Sequence, residues 1–229
     1  MKPILNLCAA VLALGLPTAP ALAQDEETYR LPEGCEAYVT VQYKLCQVSH
    51  HYTCVGDPEG HQWRVDLGPE GETYLGRIDA ETQWIESFDM LLGIRDTLDA
   101  DPTDPASFTE LTQTGRDDFD FSTSSAMADG VVYRGRDLLT GRTVVIDDVP
   151  LLETETYAYA ETKSGEFLWE STGNEYIHLE WRLFMAGRYV TRTPNGTDQV
   201  EDAPEDFIFP GEAGFLSPTP EFNCNTLIL

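Results

Sequence analysis

The sequence is poor in basic residues. It has 14 lysines and arginines against 40 aspartates and glutamates, which gives a formal net charge of −26 at pH 7. An electrostatic field of that sign repels the phosphates of nucleic acids, so the composition excludes nucleic acid as a partner. We interpret the acidity as that of a solvated surface, because no stretch has the Asp-x-Asp-x-Asp-Gly spacing of a calcium loop.

Motifs that carry catalysis are also missing. The chain has no Gly-x-Ser-x-Gly elbow, no Ser-x-x-Lys, no His-Glu-x-x-His and no glycine-rich loop for a phosphate. Carboxylates are so frequent that finding two of them together identifies no acid–base site. The sequence therefore predicts no catalytic residue and no cofactor, and it favours a non-catalytic protein.

Long hydrophobic runs are confined to the start of the chain. Lys2 precedes an apolar stretch from Ile4 to Leu16, and Ala21-Leu22-Ala23 has the A-x-A form of a cleavage site. This layout is typical of a secretory signal peptide over residues 1–23. No later segment provides the roughly 20 apolar residues that a membrane-spanning helix needs. We expect a mature chain that begins at Gln24 and is periplasmic or secreted.

Four cysteines follow the expected signal peptide: Cys35, Cys46, Cys54 and Cys224. An even number in an exported protein predicts two disulfides, and three pairings are possible. We favour Cys46–Cys54, which would close a small local loop. Cys35–Cys224 would then join the start of the fold to its end.

The segment between Cys46 and Cys54 contains two adjacent histidines, His50 and His51. A zinc site needs four ligands around one centre, whereas neighbours on an extended strand point to opposite faces. A disulfide sulfur is also no nucleophile. We interpret the segment as a disulfide-closed hairpin. In the alternative, zinc would be held by a cluster drawn from all four histidines of the chain: His50, His51, His61 and His178.

Alternation of apolar and polar residues dominates the rest of the chain. In HQWRVDL, one face carries His61, Trp63, Val65 and Leu67, and the other carries Gln62, Arg64 and Asp66. A similar alternation in NEYIHLEWRLFMAG places His178, Glu180 and Arg182 together on its polar face. Such patterns, separated by short turns, predict an antiparallel sheet with one solvated face. We assign the four tryptophans to the core rather than to a sugar-binding surface.

Two segments have helical features. In DAETQWIESFDMLLGIRDTLD, residues 79–99, apolar residues recur at helical spacing after Asp79 as the N-cap. DPASFTELTQTG places Asp104 at an N-cap, Pro105 at the first helical position and Gly115 just past the end. The sequence thus predicts one long and one short helix.

The expected fold is α+β and β-rich: an antiparallel curved sheet or half-barrel of about eight strands with these two helices. We expect a single disulfide-linked domain over residues 24–229, with an irregular C-terminal strap from about residue 191. This layout is similar to that of exported half-barrel lipoprotein carriers, although no motif is shared. The runs CEAYVTVQYKLC, ETQWIESFD and LTGRTVVIDDVPL resemble exported proteins of marine alphaproteobacteria that have no assigned function. That resemblance implies no activity and no site.

These observations favour an exported, non-catalytic binding or envelope accessory protein. A curved sheet could hold an apolar small molecule, or bind a segment of a protein partner by strand addition at an open edge. The alternative is a periplasmic hydrolase or metal-dependent enzyme that uses His178 with Glu180, or a histidine cluster.

Overall fold

The computed structural model describes residues 28–125 and 129–226, so the predicted signal peptide lies outside the described residues. The described residues form thirteen strands, one α-helix and a final 3-10 turn at Cys224–Thr226. In chain order the elements are β1 Cys35–Tyr43, β2 Gln47–Cys54, β3 Gln62–Gly68, β4 Gly71–Ile78, β5 Trp84–Asp89, β6 Ile94–Leu98, α1 Phe108–Thr114, β7 Arg116–Ser125, β8 Val131–Ile146, β9 Val149–Thr162, β10 Phe167–His178, β11 Leu183–Thr193, β12 Gly196–Glu201 and β13 Pro204–Ile208.

All thirteen strands belong to one antiparallel sheet. Each strand from β1 to β12 pairs with the next along the chain, and β13 returns to pair with β1. The two terminal strands of this open sheet, β12 and β13, are therefore consecutive in sequence, and the sheet must curve back on itself. At the joint, the Asp202 amide donates to the Gly187 carbonyl at 2.8 Å, and the Lys44 amide donates to the Ala203 carbonyl at 3.0 Å.

The predicted fold class is wrong in its count of elements: about eight strands with one long and one short helix are replaced by thirteen strands and one short helix. Residues 79–99 do not form a helix, because β5 and β6 make a hairpin there. At its tip, Asp89 accepts a hydrogen bond from the Leu92 amide at 2.9 Å, and Gly93 adopts a φ of 68°. This turn chemistry overrides the apparent helical spacing.

The short helix α1 is present, but it begins later than predicted. Its N-cap is Ser107, not Asp104, and the Ser107 hydroxyl accepts from the Glu110 amide at 3.1 Å. Gly115 ends the helix with a φ of 85°, as expected for a left-handed C-cap. The pattern Ser-x-x-Glu is a capping box, which the earlier Asp-Pro pair obscured.

Two anchors fix α1 at one end of the curved sheet. The Glu81 carboxylate accepts from the Thr109 amide at 2.8 Å, and Arg182 donates to the same carboxylate at 2.9 Å. The Arg182 guanidinium also lies 4.7 Å from the ring centre of Phe108. Phe108 and Leu111 are buried against Ile177, so the helix closes this end of the concave side.

The sheet buries apolar residues on both of its faces. On the concave side, Val39, Val41 and Tyr43 of β1 pack against Leu151 and Met185. On the convex side, a second cluster is covered by residues from both ends of the described chain: Val48, Tyr52, Val65 and Leu67 lie beneath Tyr29, Leu31, Phe215 and Leu216. The covering segment, the C-terminal strap, consists of residues 209–226. It starts after β13 and not at about residue 191, because residues 196–201 and 204–208 continue the sheet.

The disulfides are Cys35–Cys54 and Cys46–Cys224, which corrects the predicted pairing of Cys46 with Cys54 and of Cys35 with Cys224. Cys46 immediately precedes β2 and Cys54 ends it. Eight extended residues separate two such positions by about 25 Å, far beyond the reach of a disulfide. Cys54 instead lies directly opposite Cys35 in the β1–β2 ladder. The segment is a strand of a longer hairpin and is not a hairpin in itself.

The described residues contain no helix that is long and apolar enough to cross a membrane. The two disulfides are compatible with an exported protein.

Candidate ligand-binding cavity

The concave side of the sheet encloses a cavity of about 580 Å³. Strands β3, β4, β7, β8, β9, β10 and β11 all contribute side chains to it. The strand register orders the side chains of β7–β10 into three levels between α1 and the opposite end. We call them the acidic, the small and the aromatic level.

The aromatic level is farthest from α1. Phe121, Tyr133 and Trp169 follow each other across β7, β8 and β10, and Trp84 from β5 joins them. The ring centre of Tyr133 lies 5.2 Å from that of Phe121, 5.3 Å from that of Trp84 and 6.2 Å from that of Trp169. Trp84 is 48% exposed, so this level forms the rim of the cavity. Three of the tryptophans assigned to the core, Trp63, Trp84 and Trp169, are thus among the residues that line the cavity.

The small level provides the space. Gly135, Ala158 and Ser171 are cross-strand neighbours on β8, β9 and β10. Phe119 lies opposite Gly135, and its ring packs so closely over this glycine that a Cβ atom there would collide with it. Larger residues at these positions would fill the interior. The cavity thus exists because Ala158 and Ser171 leave the middle of the inner face open, whereas the ring of Phe119 covers Gly135.

The acidic level lies between the small level and α1. Asp117 on β7 is directly opposite Asp137 on β8, and Thr156 on β9 is opposite Asp137 on its other side. The Ser107 amide donates to Oδ2 of Asp117 at 3.0 Å, and Thr156 forms a hydrogen bond with Asp137. Within residues 28–125 and 129–226, nothing donates to Oδ1 of either aspartate. Two buried acceptor atoms on the wall of the cavity are thus unsatisfied.

Burial perturbs the acidic side chains. It raises the pKa of Asp117 to about 7, with a contribution from the nearby Asp137. Burial also raises the pKa of Asp137 and, together with repulsion by Asp137, that of Glu175. Glu175 lines the cavity and accepts from the Tyr189 hydroxyl at 2.9 Å. These carboxyl groups bind protons more strongly than ordinary surface acids.

The opposite wall carries a positive group. Arg64 on β3 forms an ion pair with Asp66 at 3.1 Å, and its guanidinium lies 5.1 Å from the ring centre of Tyr74. The side chain of Arg64 is 38% accessible, and it lines the cavity. His51 is the cross-strand neighbour of Arg64 and also lines the cavity.

The four histidines proposed as metal candidates occupy separate places. His50 lies on the convex side and shares a hydrogen bond of 2.9 Å with Thr40, whereas His51 faces the cavity. His61 precedes β3. His178 accepts from the Trp181 amide at 3.2 Å and stacks on that indole ring. Glu180 lies in the exposed turn after β10.

In the part of the chain that the structure describes, no three His, Cys, Asp or Glu side chains are grouped so that they could hold a metal ion. The pKa of His51 is lowered well below its ordinary value, because the ring is buried and lies near Arg64. His51 is therefore neutral at physiological pH. Neither of its ring nitrogens has a hydrogen-bond partner among the described residues.

Sequence reasoning missed the residues of the acidic level. The available signal was the segment Asp-Asp-Phe-Asp-Phe at residues 117–121, in which Asp117, Phe119 and Phe121 share one face. An acid on the same face as two phenylalanines indicates a polar group on the buried side of a strand. Comparison with known proteins adds no relative: no protein-family model, no curated protein and no solved structure matches the chain.

Proposed function

We propose that this protein is an exported, non-catalytic binding protein that holds a small amphipathic molecule in its cavity. The observation that carries the proposal is the pairing of an aromatic rim with unsatisfied buried polar atoms in one cavity of about 580 Å³. Cavities of this size, largely apolar and with a few placed polar groups, are typical of small-molecule sites.

The energetic argument supports a ligand. Protein interiors are normally packed to the density of organic crystals, and empty space forfeits dispersion contacts. Each unsatisfied buried polar group costs a further 1–3 kcal/mol or so. A molecule that contacts the rings of the rim and donates to Asp117 and Asp137 would offset both costs.

The cellular location is part of the same proposal. The first 23 residues have the layout of a signal peptide, and the four cysteines of the described chain form two disulfides. Both features favour a periplasmic or secreted protein, because disulfides persist in oxidising compartments. Such a protein would meet its ligand outside the cytoplasm.

The test is native mass spectrometry of protein that has been exported and purified without denaturation, followed by solvent extraction and identification of small molecules. Ser171→Phe would fill the small level of the cavity. Thr172→Phe places the same ring one residue further along β10, on the exposed opposite face. We expect a bound molecule in the unmodified protein and in Thr172→Phe, and its loss in Ser171→Phe.

Circular dichroism should show the same sheet content in all three proteins. A bound molecule retained in a folded Ser171→Phe would contradict the proposal. So would a folded, unmodified protein that yields no small molecule after export in its native host.

A further inference from the structure

The cavity contains more acid than base. The carboxyl groups of Asp117, Asp137 and Glu175 line its inner part, where Arg64 is the facing cation. Arg64 is already paired with Asp66. Arg77 is also near the cavity, but its guanidinium lies over the ring of Trp63 on the convex side and is bound by Glu86 at 2.8 Å, so it is not available to the aspartates. The acids that have no cation as partner are those of the acidic level and Glu175, and a cation bound beside them would favour their ionised forms.

The unsatisfied atoms of the acidic level are hydrogen-bond acceptors when these groups are ionised. Asp117 is 4% exposed and Asp137 is 7% exposed, and each has one carboxylate oxygen without a partner in the described chain. Their strands place the two carboxyl groups directly opposite each other, with Cβ atoms about 5 Å apart. One donor group located between them could therefore bond to both.

We propose, on the basis of the proposed function, that the cavity ligand has a protonated amine at one end and an apolar body at the other. The amine binds between Asp117 and Asp137, and the apolar body lies against the aromatic level. The register sets the direction: the small level separates the aspartates from Phe121, Tyr133 and Trp169. The cationic end of the ligand is buried toward α1, and its apolar end reaches the rim.

The chemistry of the two aspartates distinguishes an amine from other cations. A quaternary ammonium group has no N–H and would leave both Oδ1 atoms unsatisfied, whereas a primary ammonium donates up to three hydrogen bonds. A metal ion is disfavoured because Asp117, Asp137 and Glu175 are not grouped as ligands of one centre in the described chain. A neutral alcohol could donate one hydrogen bond but would not compensate the excess charge.

The experiment is isothermal titration calorimetry of the exported, ligand-stripped protein with four probes that share one apolar body. The probes are phenylbutylamine, phenylbutanol, phenylpentanoate and phenylbutyltrimethylammonium. We expect the amine to bind at least tenfold more tightly than the alcohol and the quaternary compound, and phenylpentanoate to bind most weakly.

Matched variants locate the amine. Asp137→Asn and Asp117→Asn remove one charge each from the acidic level, and Asp118→Asn removes one charge from the adjacent exposed position on the outer face of β7. We expect the first two to reduce the preference for amine over alcohol at least tenfold. The outer variant should leave this preference within about twofold of the original, which separates a local contact from the effect of overall charge.

Each outcome has a defined meaning. Equal affinity for amine and alcohol would overturn the amine inference but leave a cavity that binds apolar molecules. Tighter binding of the quaternary compound would also overturn it, since N–H donors would then be irrelevant. If no probe binds, the amine inference fails, and the molecules extracted from exported protein decide the proposed function separately.

Discussion

Asp117, Asp137 and Glu175 are acids enclosed by the sheet, and their ionisation costs free energy. Asp117 is approached by Asp137, Glu110 and Asp104, while Glu175 is approached by Asp137, Arg64 and Tyr189. The three neighbours of Asp117 are acidic and reinforce the effect of burial on its pKa. Around Glu175 only Asp137 does so, because Arg64 and the hydrogen bond from Tyr189 lower the pKa of that carboxyl. The folded protein therefore holds protons on these groups at pH values at which the unfolded chain has lost them.

This difference predicts that stability falls as the pH rises. An acid whose pKa is raised by folding stabilises the protein below its unfolded pKa, and this contribution is lost as the pH rises through the folded pKa. With the pKa of Asp117 at about 7, we expect the free energy of unfolding to decrease by about 1 kcal/mol or more between pH 6.5 and pH 8. Urea denaturation at several pH values measures this.

Asp117→Asn is the control for the pH dependence, because the amide cannot ionise. Asp117→Asn should make the decrease in the free energy of unfolding between pH 6.5 and pH 8 smaller, whereas Asp118→Asn should leave this decrease unchanged. Below pH 6.5 the buried histidines act in the opposite direction, since the lowered pKa values of His50 and His51 keep them neutral in the folded state. Stability that increases from pH 6.5 to pH 8 would contradict the assignment of Asp117 as a buried acid.

Among the elements, the anchor of α1 and the two disulfides contribute in separable ways. Arg182 is held by Glu81 and the ring of Phe108, and Arg192 by Glu170 at 2.8 Å and the ring of Phe167. Both arginines thus form an ion pair and a ring contact, and Arg182 also donates to the Ala80 carbonyl at 2.6 Å and to the Thr109 hydroxyl at 3.1 Å. They differ in solvent exposure, which is 32% for the Arg182 side chain and 54% for that of Arg192.

We expect Arg182→Ala to lower the free energy of unfolding by about 2 kcal/mol, because it leaves partly buried polar groups near the helix start without their donor. Arg192→Ala should lower it by less than about 1 kcal/mol, as is usual for an exposed ion pair. Equilibrium urea denaturation of both variants tests the difference. Equal effects would show that the anchor of α1 is no stronger than a surface contact.

The disulfides should differ in their effect on stability according to the length of chain that each encloses. Cys35–Cys54 spans 19 residues and Cys46–Cys224 spans 178. Loop-closure entropy then gives about 3 kcal/mol for the first and about 5 kcal/mol for the second. We expect the paired variant Cys46→Ser with Cys224→Ser to be destabilised more than Cys35→Ser with Cys54→Ser, as measured by guanidinium denaturation. The reverse order would show that local ladder geometry dominates.

The same elements show what the sequence could predict. Alternation correctly divides β3 into two faces, and Gly115 correctly ends α1. Alternation could not show which face points inward. Val65 and Leu67 pack on the convex side beneath the C-terminal strap, whereas Arg64 lines the cavity and Asp66 is paired with it. In this strand the polar side chains face the concave interior and the apolar side chains face the covered convex side, which is the reverse of the usual arrangement.

The prediction of a long helix was wrong for a related reason. Residues 84–98 form a short hairpin with apolar residues at its tip, and this arrangement imitates the spacing of a helical stripe. The cavity could not be predicted from the sequence, because its three levels depend on the register of pairing across β7, β8, β9 and β10. Register is a property of strand pairing, and no local pattern specifies it.

At the scale of the whole molecule, the C-terminal strap acts as the cover of the convex apolar cluster. Phe215 and Leu216 lie over Val65 and Leu67, and the Leu216 amide donates to the Thr40 hydroxyl at 3.0 Å. Truncation after Ile208 should therefore expose this cluster and increase the fluorescence of the dye ANS. Because truncation also removes Cys224, the comparison is made in a Cys46→Ser background, with full-length Cys46→Ser as the control. Equal dye fluorescence in the two proteins would refute the covering role.

The strand order also has a consequence for folding. Every ladder from β1 to β12 joins neighbours in sequence, so hairpins can form one after another as the chain emerges. The β1–β13 ladder is the exception, since Thr40 pairs with Ile208. The edge of β1 that pairs with β13 stays unpaired until almost the entire polypeptide has been made. Until then, its free backbone N–H and C=O groups can pair with strands of other molecules. A chaperone that shields unpaired strand edges would find its target at β1, the first strand of the described residues.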